Sequence, residues 1–139
     1  MRIHVYYVGK ARDEHANGMA EEFLKRTSRW VKCQTREVHP ERLEFLDKHA
    51  SAAVVMLDPG GKAMDSAAFA RQMGKWEDEG RDAVFVVGGA DGLPAAWKKR
   101  AGMLLSLSAM TFPHEMARAM LAEQIYRAFA ALRGHPYPR

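Results

Sequence analysis

Along this chain the hydrophobic positions switch between a period of about two residues and one of about three and a half, the marks of alternating strands and helices. Runs rich in β-branched and aromatic residues predict strands at 3–8, 33–38, 53–57, 83–87 and 103–107. The third and fourth, AAVVML and AVFVV, are apolar without alternation, as in parallel strands covered on both faces, so they belong in the middle of the sheet. Helical spacing fills the gaps at 14–29, 41–49, 66–79, 94–101 and 113–132. Strand and helix in alternation predict an α/β domain: a mainly parallel sheet with helices on both faces.

The last helix carries the strongest pattern. Ala117, Met120, Leu121, Ile125, Ala128, Phe129 and Leu132 recur at three- and four-residue intervals, and Glu123 and Arg127 can pair outside that stripe. Asp65 or Ser66 suits the N-cap of the third helix, Gly80 its left-handed C-terminus, and Gly134 the end of the last.

With 139 residues, 47% of them hydrophobic, the chain has material for one core and reads as a single domain, 1–139. Its 21 Lys and Arg against 17 Asp and Glu give a net charge of +4, which favours an acidic partner such as RNA without requiring one. The start, MRIHVYYVGK, lacks the apolar run of a signal peptide, and no stretch is apolar for long enough to span a bilayer. The single cysteine, Cys33, forms no internal disulfide, and nothing beside it in sequence would activate a thiol. These features predict a cytoplasmic protein with no membrane partner.

In an open parallel sheet, ligands sit in loops at the carboxyl ends of the strands. Three such loops are rich in glycine or small residues: Leu57-Asp58-Pro59-Gly60-Gly61-Lys62, Gly88-Gly89-Ala90-Asp91-Gly92, and the segment from Ser106 through Phe112 to Pro113 and His114. Glycine lets a ligand approach the backbone closely, so exposed amides there can bind an adenine edge or a carboxylate. The segment Gly88 to Gly92 reads equally well as an ordinary tight turn, and its spacing matches neither G-x-G-x-x-G nor a P-loop. The six histidines, His4, His15, His39, His49, His114 and His135, show no metal-ligand spacing, so no metal is expected. No serine occupies a G-x-S-x-G elbow, which argues against a hydrolase. The tail His135-Pro136-Tyr137-Pro138-Arg139 joins an imidazole, a phenol and a guanidinium in a proline-stiffened segment, groups suited to stacking on a base and holding a phosphate.

Taken together, these loops and the tail resemble the SPOUT methyltransferases of the RlmH type. That family carries L-D after one strand, G-G-x-x-G after the next, L-S-x-x-T-x-P-H before the last helix and H-P-Y-x-R at the terminus. Here the elements are Leu57-Asp58, Gly88 to Gly92, Leu107 to His114 and His135 to Arg139, in that order over essentially the whole length, with a similar helix around Ala122 to Ala128. The resemblance implies a C-terminal trefoil knot, which the general rule against knots would have excluded. It implies that S-adenosyl-L-methionine sits against Leu57, Gly88, Gly89 and the backbone of Leu107, Ser108, Ala109, Met110, Thr111 and Phe112, and that the protein is a homodimer in which the tail of one subunit serves the cofactor of the other.

The implied reaction is methylation of N3 of a pseudouridine in 23S rRNA, with the assembled ribosome as partner. Catalytic residues carried over on this basis are Arg127, His135, Tyr137 and Arg139. Arg127 and Arg139 would stabilise developing negative charge or grip phosphates, and His135 or Tyr137 would relay a proton or position the base. His114 reads either as a brace for the cofactor loop or as a direct participant. One departure stands out: the family tail commonly has histidine before its final arginine, where this chain has Pro138, so any duty of that histidine does not transfer. Two alternatives remain, a SPOUT enzyme acting on another RNA such as tRNA and a catalytically silent ribosome-binding factor.

Overall fold

The computed structural model describes residues 1–137. Five strands, β1 (Arg2–Val8), β2 (Lys32–Val38), β3 (Ala53–Ala63), β4 (Ala83–Val87) and β5 (Met103–Ser106), form one sheet in the order β2-β1-β4-β3-β5. Every pairing is parallel, with Ile3 opposite both Cys33 and Ala83, and Val55 opposite Phe85 and Met103. The two apolar strands occupy the interior of the sheet as their composition requires, and all five residues of β4 are buried.

Helices α1 (Glu14–Thr27), α2 (Ser66–Asp78) and α4 (His114–Leu132) cover one face, where Ile3, Val5, Val55, Phe85 and Val87 meet Leu24, Phe69, Leu121, Ile125 and Phe129. On the other face Tyr6, Val8, Val84 and Val86 pack against Leu46 and Trp97, from a 3-10 helix at Glu44–His49 and the short α3 (Ala95–Lys98). Alternate residues of β1 and β4 thus serve opposite cores. The helix expected at 41–49 is a shorter 3-10 segment, and that expected at 94–101 is the single turn of α3, since neither segment has a long amphipathic face to bury.

Local signals act where the sequence placed them. The Asp65 carboxylate accepts the Ala68 N–H at 2.7 Å and caps α2, while Gly80 and Gly134 adopt φ of +69° just past the ends of α2 and α4. Helix α4 is buried on more than a stripe because it lies between α1 and α2 over the sheet; Arg118, Ala122, Tyr126 and Ala130 are buried as well, whereas Leu132 is exposed. The chain leaves β5 at one edge of the sheet and returns in α4 to pack on α1 beside β1, a return path consistent with a C-terminal trefoil knot.

Candidate functional site: a glycine-walled cleft and an aromatic tail cluster

The three loops singled out from sequence converge on one cleft of about 260 Å³ at the carboxyl ends of β3, β4 and β5. Its wall contains Leu57, Gly88, Gly89, Leu107, Ser108, Met110, Thr111 and Phe112; Ala109, expected there too, is exposed outside it. Asp58, Leu105, His114 and Ala117 also line the cleft.

Each wall is fixed by a different device. The strand expected at 53–57 runs on to Ala63: Leu57 pairs with Leu105, the chain bulges through Asp58 to Gly61, and Lys62 pairs with Leu105 again. A β-carbon on Gly61 would lie 2.6 Å from the Leu104 carbonyl, so only glycine lets the bulge close on β5. Asp58 accepts the Gly60 N–H and pairs with Lys98 Nζ at 2.9 Å, which clamps this rim to α3.

The second wall is a turn closed by the bridge between Gly89 and Gly92, the latter at φ +76°. A β-carbon on Gly88 would lie 2.8 Å from the Gly92 carbonyl carbon. The tight-turn and ligand-loop readings of this segment are therefore compatible, because a tight turn forms part of the cleft. In the third wall the Ser106 hydroxyl donates to the Ser108 carbonyl at 3.0 Å and the Met110 N–H donates to Ser108 Oγ at 3.0 Å, so serine side chains hold the loop in shape.

The tail groups assemble elsewhere. Arg127 forks onto Glu123, with Nη2 2.7 Å from Oε2, and the Tyr137 hydroxyl donates to the same oxygen at 2.6 Å. Burial alone would push the Glu123 carboxyl up, but the bonds from Arg127 and Tyr137 outweigh it and hold that group below its ordinary range. The Tyr137 phenol is pushed up by burial and by its bond to Glu123, so it stays a protonated donor. His135 Nδ1 accepts the Tyr137 N–H at 3.1 Å, and the rings of Trp30, Tyr126, His135 and Tyr137 pack on one another with the Arg127 guanidinium over Tyr137.

The structure thus brings Arg127, His135 and Tyr137 together, but none of them lines the cleft of the same chain. Arg139 and Pro138 lie outside the described residues. The sequence reading missed the role of Glu123 as the centre of this cluster; its spacing to Arg127 signalled an ion pair, but nothing signalled its bond with Tyr137.

A larger groove of about 640 Å³ runs between α1 and α4 at the start of α2, lined by Met19, Met64, Met116 and Met120 and ending at Glu123 and Gln124. Its lining includes Asp65, Ser66, Glu123 and Gln124 but no glycine turn that would open backbone groups to a ligand, so the smaller glycine-walled cleft, where the three loops converge, is the better candidate for chemistry. Burial pushes the Cys33 thiol up to about 11, which keeps it unreactive near neutral pH. Among the described residues no cluster of His, Cys, Asp and Glu can hold a metal, and no helix is long and apolar enough to cross a membrane.

Comparison with known proteins bears on the same features. The curated "Ribosomal RNA large subunit methyltransferase H" of Solibacter usitatus is 60% identical over 139 residues, covering 100% of both chains. A probable methylase family protein of Haemophilus influenzae has a similar fold, with a TM-score of 0.67 at 9% identity, covering 99% of this chain and 70% of that one. The SpoU methyltransferase AviRb of Streptomyces viridochromogenes, solved with AdoMet, superposes with a TM-score of 0.58 at 12% identity over 92% of this chain and 58% of its own. The family model described as "Predicted SPOUT methyltransferase" matches residues 1–138, and with a full-length relative at 60% identity the chain belongs to the SPOUT methyltransferase family.

Proposed function

We propose that this protein is an S-adenosyl-L-methionine-dependent methyltransferase that modifies N3 of a pseudouridine in 23S rRNA on the assembled ribosome. The observation that carries this reading is full-length similarity to a large-subunit rRNA methyltransferase, together with convergence of the Leu57, Gly88 and Leu107–Phe112 segments on one cleft. The cleft suits the methyl donor: Leu57, Leu107 and Phe112 offer apolar surface, and glycine and serine loops bring backbone groups to its edge. When bound, the donor supplies an electrophilic methyl group on a sulfonium.

The acceptor nitrogen of a pseudouridine is a weak nucleophile while protonated, so the site must favour its anion and align it with the methyl carbon. In this reading Arg127 would supply positive charge and Tyr137 would stack on the base or donate a hydrogen bond to it. Because the Tyr137 phenol is held protonated, and because His135 Nδ1 already accepts the Tyr137 N–H, we assign both a positioning role rather than that of base. Arg139 is assigned with Arg127 from the sequence.

A homodimer explains why the tail cluster and the cleft lie apart in one chain: the cluster of one subunit would face the cleft of the other. The methionine groove supports this reading, since Met19 and Met116 are 56% and 49% exposed in the isolated chain and the groove ends at Glu123. A small chain offers little surface for reading sequence, so specificity would come from the shape of the assembled ribosome.

The test is transfer of labelled methyl from S-adenosyl-L-methionine to ribosomes lacking the modification, followed by mapping of the labelled nucleotide. Label at N3 of a pseudouridine in 23S rRNA is the expected result. Label only in tRNA, or donor binding without transfer to any RNA, would overturn the assignment.

A further inference from the structure

Arg118 is 4% exposed, yet its guanidinium has few partners. Nη2 donates to the Val8 carbonyl at 2.9 Å and the group lies over the Tyr7 ring at 4.2 Å, while Nε and Nη1 have no hydrogen-bond partner. The carboxylate of Glu115 is 3.7 Å from Nη1, beyond a hydrogen bond. A buried cation so poorly satisfied is costly, and an apolar side chain of similar volume would serve the core at least as well.

One contact and one adjacency tie this region to the cleft, and a set of hydrogen bonds holds the loop beside it. Val8 ends β1, and its carbonyl oxygen is 3.2 Å from where a β-carbon on Gly89 would stand, so the strand end packs directly on the glycine turn. Glu115 accepts the backbone N–H groups of Arg12 and Asp13 and the Asn17 amide, at 2.5, 3.1 and 2.9 Å, and so holds the loop that follows β1. Both residues stand on the first turns of α4, between His114 and Ala117 or just beyond them, and those two line the cleft.

We propose that Arg118 and Glu115 form a brace that fixes the end of β1, the Gly88–Gly92 turn and the start of α4 relative to one another, making them positioning residues for the methyl-donor cleft. This rests on the cleft reading above. Arg118 acts through the Val8 carbonyl and Glu115 through the loop amides. Backbone groups that bind a ligand must be held in place by other contacts, and a shift of about 1 Å in such a frame weakens binding steeply.

The experiment measures S-adenosyl-L-methionine affinity by calorimetry and amide hydrogen exchange without ligand, on the intact protein. Arg118→Met is expected to melt no earlier than the wild type, to bind the donor roughly tenfold more weakly, and to lose exchange protection in residues 88–92. Arg118→Lys, whose ammonium can still reach the Val8 carbonyl, recovers part of both. Glu115→Ala is expected to lose protection in residues 10–13 and Glu115→Gln, which keeps an acceptor, to regain it; this pair decides the matter if Arg118→Met does not fold. Unchanged affinity and unchanged exchange at 88–92 in Arg118→Met would overturn the brace. Absence of donor binding by the wild type would instead overturn the cleft reading, while the exchange data would still decide on the brace.

Discussion

The cleft and the tail cluster are built from opposite materials. The cleft is walled mostly by glycines, small residues and apolar side chains, with Asp58 and His114 among them, and its shape comes from close backbone approaches at Gly61 and Gly88. The tail cluster is built from charged and aromatic side chains gathered around one carboxylate, Glu123. The contrast is, on the proposed reading, a division of labour: a cation carried by the donor needs shape and backbone dipoles more than a countercharge, whereas an acceptor that must lose a proton needs a positioned cation and stacked rings. On the proposed reading the two meet only between subunits.

The sharpest way to break this comparison is at Gly88. Gly88→Val places a β-carbon against the Gly92 backbone, so donor affinity should fall by at least ~100-fold with the tail cluster intact. Calorimetry showing near wild-type binding would remove this turn from the site. Glu123→Gln should do the reverse, lowering kcat about tenfold through loss of the Arg127 fork while donor affinity stays within about twofold. Equal losses in both quantities would show that cluster and cleft are not separate. A smaller effect is expected of Tyr137→Phe, a loss of roughly threefold in kcat if the phenol positions the base. A fall of about 100-fold with a displaced pH–rate profile would instead make it the proton relay.

The smallest expected effect concerns stability, on the face of the sheet away from both regions. The Tyr6 hydroxyl and His49 Nε2 are 2.7 Å apart, and the His4 and His49 rings are 4.5 Å apart. Burial, and for His49 the neighbouring His4, lowers both imidazoles from the ordinary value of 6.5. The unfolded chain therefore takes up protons first, so the stability these neutral rings contribute is present above 6.5 and is lost as pH falls below it. The double variant His4→Gln, His49→Gln should show a shallower drop in melting temperature between about pH 7 and pH 5, with activity per folded molecule unchanged.

The sheet was legible because its signals are local. Uninterrupted apolar runs such as AVFVV identify buried parallel strands, and Asp65, Gly80 and Gly134 mark helix ends through their own backbone chemistry. The cleft was legible in part: glycine and serine loops after successive parallel strands converge by topology, and the loops that carry the motif resemblance do line one cleft. What stayed hidden depends on contacts between distant segments. The bulge that carries β3 past Leu57 exists only because β5 lies beside it, and it could not be read from a Pro-Gly-Gly stretch that looks like a loop. Arg118 on an amphipathic helix reads as a solvated charge until α1 and β1 are packed over it. The Tyr137 to Glu123 bond joins residues 14 apart whose meeting depends on how the chain turns after Gly134.

The bulge at Asp58–Gly61 has a further consequence, for the kinetics of exchange. Both of its ends are stapled to Leu105 of the same strand and its rim is held by Lys98, so it cannot swing open as a lid. The entropy of ordering it is spent during folding, not at each encounter with a ligand. If the cleft holds the methyl donor as proposed, entry and release fall to the lip formed by residues 107–112, where Met110 is 73% exposed, and stiffening that segment should lengthen the donor's residence time.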